Sequence, residues 1–198
     1  MVIVILLPHH SIRVLAMLER IHITGASGSG TTTLGAAIAG RWGHRHLDTD
    51  DFYWEPTWPP FRQSRAEHDR QQLLAAALDE SPRWVLSGSL SGWGDCFIPR
   101  FDLVIFMNTP TEMRMPRLRR REQARFGEAL APGGELFEDH QAFLAWASAY
   151  EIGRENMRSR VHHENWLQSL PCPVLRLSGA EPVDVLLEQL VGELRITA

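Results

Sequence analysis

Three groups of residues in this chain have the types and spacing for chemistry, and all three suit a phosphate. The first is Gly25-Ala26-Ser27-Gly28-Ser29-Gly30-Thr31-Thr32. Glycines at 25, 28 and 30 let backbone N–H groups curl around an anion without Cβ obstruction. The phosphate-binding pattern is Gly, four residues, then Gly-Lys-Ser/Thr. Gly25, Gly30 and Thr32 satisfy it, and Thr31 stands at the lysine position. The second group is Leu47-Asp48-Thr49-Asp50-Asp51-Phe52. Two acids one residue apart can divide labour: one holds a divalent cation, often through water, and the other takes a proton from an attacking hydroxyl. Asp50 is the better base candidate, Asp48 the metal-side partner, and Asp51 a cap for the next segment. The third is the arginine run Arg114, Arg117, Arg119, Arg120, Arg121 and Arg125. Arg114, Arg117 and Arg121 share one helix face, which Arg125 continues. Glu112 and Glu122 offset part of that charge, and forked guanidinium geometry directs Arg117 and Arg121 to phosphate oxygens.

Position 31 has no substitute close by. All 20 Lys/Arg positions of the chain are arginine, so compositional drift from lysine explains the wider absence but would have left arginine, not threonine, at 31. Any cation at the phosphates must arrive from outside the loop, as an arginine or as a metal ion.

The elements that position these groups are legible as apolar runs alternating with longer helical patterns, the mark of βαβ units and a mainly parallel sheet. Expected strands are Ile21–Thr24, His46–Asp48, Trp84–Ser87, Leu103–Met107 and Val174–Leu177. Expected helices are Thr32–Arg41, Ser64–Asp79, Thr111–Arg125, Glu138–Ser159 and Val183–Leu194, with Leu73, Leu74, Ala77 and Leu78 as the apolar face of the second. The first helix aims its positive dipole end at the glycine loop. Trp54–Arg62 and Gly127–Glu135 read as loops large enough to be functional. Trp54 and Trp58 are the candidate substrate-cleft pair, and Ser87-Gly88-Ser89 ends a strand with small residues that admit a ligand.

A chain of 198 residues is most simply one domain. We expect a nucleotide-binding domain over 17–198, with a lid-like region near 111–160 and an extension over 1–16; an extra edge strand from Val2 to Leu7 is the competing arrangement. A net charge of −4 argues against a general nucleic-acid or anionic-membrane surface. Cys96 and Cys172 have neither CxxC spacing nor a disulfide pattern, and the apolar start is too short to span a bilayer. The expectation is a cytoplasmic protein without nucleic-acid or membrane partners.

With these residues assembled, the chain resembles the small P-loop kinases of the shikimate, gluconate and adenylate kinase type, over about residues 18–195. The resemblance implies a three-layer P-loop NTPase fold with a five-stranded sheet and a helical lid. It implies ATP and Mg²⁺ as cofactors: Gly25, Ser27, Gly28, Ser29, Gly30, Thr31 and Thr32 around the phosphates, and Thr32 and Asp48 on the metal. Asp50, Arg117 and Arg121 would serve phosphoryl transfer to a small metabolite or nucleotide, and Gly179-Ala180-Glu181-Pro182 would flank the adenine. Thr31 departs from the family pattern. Two other readings stay open. A P-loop protein that binds ATP or GTP with little or no transfer accommodates Thr31. An NAD(P)-dependent oxidoreductase would use the acids after the second strand on a ribose, although the glycine order here is GxxGxG rather than GxGxxG.

Overall fold

The structure, a computed structural model, describes residues 18–154 and 157–196. The expected extension over 1–16 and its competing edge strand lie outside the described residues. The elements run β1 (Arg20–Gly25), α1 (Thr31–Trp42), β2 (Arg45–Asp48), α2 (Thr49–Tyr53), α3 (Glu67–Asp79), β3 (Trp84–Ser87), β4 (Leu103–Asn108), α4 (Thr111–Phe126), α5 (Phe137–Ser148), α6 (Arg160–Gln168), β5 (Val174–Ser178) and α7 (Val183–Ile196). Single 3₁₀ turns occupy Asp95–Arg100, Gly127–Leu130 and Ala149–Glu151.

The five strands form one parallel sheet in the order β2-β3-β1-β4-β5. A parallel sheet covered on both faces needs strands apolar on both sides, and Ile21, Ile23, Val104, Ile105 and Phe106 accordingly have almost no exposed surface. One face packs Leu34 and Ile38 of α1 and Leu186, Leu187 and Leu190 of α7 against β1 and β4. The other face packs Leu74 and Leu78 of α3 and Leu167 of α6 beneath Trp84, Leu86 and Phe106. A smaller cluster of Met115, Leu118, Leu144 and Ala147 holds α4 to α5. This is the three-layer parallel architecture expected from the sequence.

Each expected strand lies within one residue of its observed ends. The helices differ more. The stretch read as one helix over Glu138–Ser159 is α5, a 3₁₀ turn and a break before a separate α6. At Gly153 the chain passes so close to its neighbours that an added Cβ would lie 2.9 Å from Ser159 Cβ and 3.1 Å from Ala149 O. Ser159 then caps α6, its hydroxyl accepting from His162 N. The helix expected from Ser64 begins at Glu67, and its Leu73 points outward while Leu74, Ala77 and Leu78 are buried.

Candidate phosphate-transfer site

Because β1, β2 and β3 are parallel and in register, their carboxyl ends bring Gly25, Asp48 and Ser87 to one edge of the sheet, the edge at which open α/β sheets bind ligands. The chain leaves β1 at Gly25, where a Cβ would sit 2.7 Å from Met107 O. Gly28 and Gly30 have φ of 79° and 101°, conformations that favour glycine. Ser29 is buried, and its N–H donates inward to Ala26 O at 3.0 Å, so its part is to shape the loop.

Helix α1 starts at Thr31 with Gly30 as its N-cap and no side-chain capping bond. The N–H groups of a helix's first turn have no intrahelical acceptor, so this uncapped end presents donors and a positive dipole to the loop. Thr32 Oγ1 donates to Asp48 Oδ2 at 2.8 Å, and Ser87 Oγ reaches the same oxygen at 3.2 Å. Asp48 Oδ1 accepts from Asp50 N at 3.1 Å, which makes Asp48 the N-cap of α2. Asp48 thus takes the capping role expected of Asp51. Burial, and secondly the neighbouring Asp48, push the Asp50 carboxyl above its usual range, while Arg158 and Arg121 oppose the shift. On the far side Thr49 Oγ1 accepts from Ser89 N at 3.0 Å, fixing the strand-end serine loop to α2.

These groups share one cavity of about 1070 Å³, whose wall includes Gly28, Thr31, Thr32, Asp48, Asp50, Ser89, Arg121 and Arg158. Its wall also carries the aromatic side chains of Tyr53, Trp54, Phe61, Trp93 and Phe126. Trp54 therefore lines the cleft as expected, whereas Trp58 is 74% exposed and packs on Phe126.

The arginine helix separates into distinct roles. Arg114 is fully buried and donates to Thr109 O at 3.1 Å, Ser27 O at 2.9 Å, Ala147 O at 3.4 Å and Thr111 Oγ1 at 2.8 Å. It braces the outside of the phosphate loop. Arg117 Nη1 donates to Gly179 O at 2.8 Å, placing it at the loop after β5 and not on the cavity wall. Arg121 lines the cavity, paired with Glu122 at 2.9 Å, and Arg125 approaches the same carboxylate at 3.9 Å. Of the two arginines expected at the phosphates, the structure brings one into the cavity. It also brings in Arg158, which has no role in the sequence reading, where it falls inside the helix expected over Glu138–Ser159.

The implied Mg²⁺ can be tested against the donor set. A threonine hydroxyl and a carboxylate oxygen side by side are hard ligands that suit this ion, which keeps waters and shares phosphate oxygens. Among the described residues no group of three or more His, Cys, Asp or Glu forms a self-sufficient metal cage. Thr32 and Asp48 therefore fit a Mg²⁺ ion that would complete its shell with waters and phosphate oxygens. Among the described residues no helix is long and apolar enough to cross a membrane.

No protein-family profile matches the chain. An uncharacterized protein of Bacillus subtilis (strain 168), YqaC, is 44% identical over 178 residues, spanning 88% of this chain and 98% of that protein. Cytidylate kinase of Pyrococcus furiosus is 30% identical over 122 residues, covering 55% of this chain and 60% of the enzyme. Among solved structures, shikimate kinase from Bacteroides thetaiotaomicron superposes with a TM-score of 0.55 at 17% identity, over 90% of this chain and 99% of that one. A gluconokinase from Sinorhizobium meliloti gives 0.51 at 17% identity, over 91% and 93%. The chain has the fold of the P-loop small-molecule kinases, and it belongs to one family with Bacillus subtilis YqaC.

Proposed function

We propose that the chain is an ATP-dependent phosphotransferase acting on a small hydroxyl- or phosphate-bearing metabolite or nucleotide. The observation that carries this reading is the meeting of the open loop at Gly25–Thr32 with Asp48 and Asp50 in one cavity. The P-loop kinase fold of the structural neighbours supports it.

On this reading the backbone N–H groups of Ser27–Thr32 hold the phosphates of ATP, apart from that of Ser29, which Ala26 O already takes. Thr32 and Asp48 would hold Mg²⁺, which when bound neutralises phosphate charge. Asp50 receives the proton of the acceptor hydroxyl, and its raised affinity for protons suits that task. Arg121 faces the phosphates from α4. Arg117, tied to Gly179 O, supports the adenine side instead.

Titration calorimetry with ATP and Mg²⁺, followed by phosphate-transfer assays across sugar acids, nucleosides and nucleotides, tests the proposal. Micromolar binding with transfer to one acceptor class is the expected result. Thr31 favours a second reading, a nucleotide-binding protein without transfer. Binding with neither transfer nor hydrolysis would establish it.

A further inference from the structure

A triphosphate seated in this loop meets no cation from the loop itself, because position 31 is threonine and α1 has its one basic terminal residue, Arg41, at the far end. Four arginines line the cavity: Arg62, Arg121, Arg125 and Arg158. Three of them face carboxylates already, Arg62 with Asp139 and both Arg121 and Arg125 with Glu122.

Arg158 differs from the other three. Among the described residues it forms no ion pair; its Nη2 donates to Gly25 O at 2.6 Å, and its Nε is buried with no partner. A guanidinium has five N–H donors; among the described residues one of them is taken by Gly25 O, and the buried Nε–H without a partner is costly until an anion completes it. Gly25 is the first glycine of the loop, so this bond ties the guanidinium to the loop's root. Asp50, Asp48 and Arg158 line the same cavity, and Asp50 above all, then Tyr150 and Asp48, favour the charged guanidinium.

The backbone that carries Arg158 is also fixed. Ser159 is fully buried, donates to Arg154 O at 2.8 Å and accepts from His162 N at 3.2 Å as the cap of α6. The side chain therefore emerges from a pinned point and needs little rearrangement to meet a ligand.

We propose that Arg158 carries the charge that position 31 lacks, its N–H donors not taken by Gly25 binding non-bridging oxygens of the β- and γ-phosphates of a nucleoside triphosphate. The assignment rests on the kinase reading above. In the transfer step the acceptor hydroxyl oxygen bonds to the γ-phosphorus, and the bond from that phosphorus to the β–γ bridging oxygen breaks. The nucleoside diphosphate leaves with the electron pair, and the acceptor proton passes to Asp50. Arg158 keeps its protons throughout and binds the oxygens on which negative charge builds.

The test uses the full-length protein, with calorimetry for ATP–Mg²⁺, a γ-phosphate release or transfer assay, and a melting curve for every variant. Arg158→Met is expected to bind ATP about ten- to a hundred-fold more weakly, the effect of losing a hydrogen bond to a charged group, and to turn over more slowly still. Arg158→Lys, which keeps the charge if the methionine variant folds poorly, is expected to retain most of the affinity. The decisive variant is Thr31→Lys combined with Arg158→Met. A cation restored within the loop should recover ATP affinity, whereas a purely structural loss at Arg158 would stay unrepaired. ATP affinity in Arg158→Met equal to the parent's overturns this assignment alone, as does a double variant no better than Arg158→Met. A parent that binds no nucleoside triphosphate overturns the kinase reading and this assignment with it.

Discussion

The Thr32 hydroxyl donates to Asp48 Oδ2 at 2.8 Å, so the phosphate loop and the end of β2 are joined through the two side chains that suit a divalent cation. A cation bridging them would replace that hydrogen bond. Thr32→Val keeps the side chain's shape and deletes the oxygen. We expect it to weaken ATP binding about tenfold in Mg²⁺ and leave binding in EDTA unchanged, as read by calorimetry. Equal losses in both conditions would show that the hydroxyl serves the loop and not the ion.

Asp50 should matter for turnover and little for ATP affinity. Asp50→Asn is expected to lower kcat by about 10²–10⁴-fold, the usual contribution of a positioned base, with near-parental ATP binding. The pH profile gives a sharper readout. Burial and Asp48 raise the Asp50 carboxyl above the ordinary carboxylate range, so the acid limb of kcat/KM should lie above that of an exposed carboxylate. Arg158 and Arg121 pull the other way, and Arg158→Met should move the limb to higher pH. A limb that moves to lower pH in this variant would contradict the charge arrangement.

Arg114 braces the fold instead of reaching phosphate. Replacing it with methionine strands the carbonyls of Thr109 and Ser27 in the interior. With bonds to a charged donor contributing about 1.5–3 kcal/mol each, we expect a loss of about 3 kcal/mol in chemical denaturation. Arg119→Met and Arg120→Met, on the exposed face, should change stability by less than about 0.5 kcal/mol.

Acid should destabilise the protein through His22. Burial lowers its pKa from 6.5 to about 4, with Nδ1 lying 3.0 Å from Leu86 O. Its folded pKa lies below its unfolded one, so the unfolded chain binds the extra proton. Stability is fully present above pH 6.5 and is lost as pH falls toward 4. The shift corresponds to about 3 kcal/mol. His22→Asn, which cannot titrate, should flatten the denaturation midpoint across that window; an unchanged slope would assign the acid sensitivity elsewhere, His163 being the next buried imidazole.

The sheet was readable in advance because strands buried on both faces appear as short apolar runs, as Leu103–Met107 shows, and the glycine spacing at 25, 28 and 30 marks the loop without any tertiary knowledge. Three features resisted for physical reasons. The five-residue α2 is too short for periodicity to register, and its cap Asp48 stands in a run of acids whose spacing draws the eye to chemistry first. The break before α6 depends on close packing around Gly153, which spacing along the chain does not reveal. Arg158 meets Gly25 across 133 positions, while the six arginines of α4 draw attention to a helix that commits one of them to internal carbonyls and another to Gly179.

Arg62 and Asp139 both line the cavity and pair with each other, and Trp58 rests on Phe126. The segment after α2 and the first turn of α5 are therefore clasped by one ion pair that is 49% and 62% exposed on its two sides. Exposed charges are screened by dissolved salt over about 8 Å at physiological strength. The clasp thus responds to the ionic medium, whereas Arg114, which donates to Ser27 O of the glycine loop, is fully buried. Added salt should therefore loosen the tie between these two segments while leaving the packed sheet unaffected.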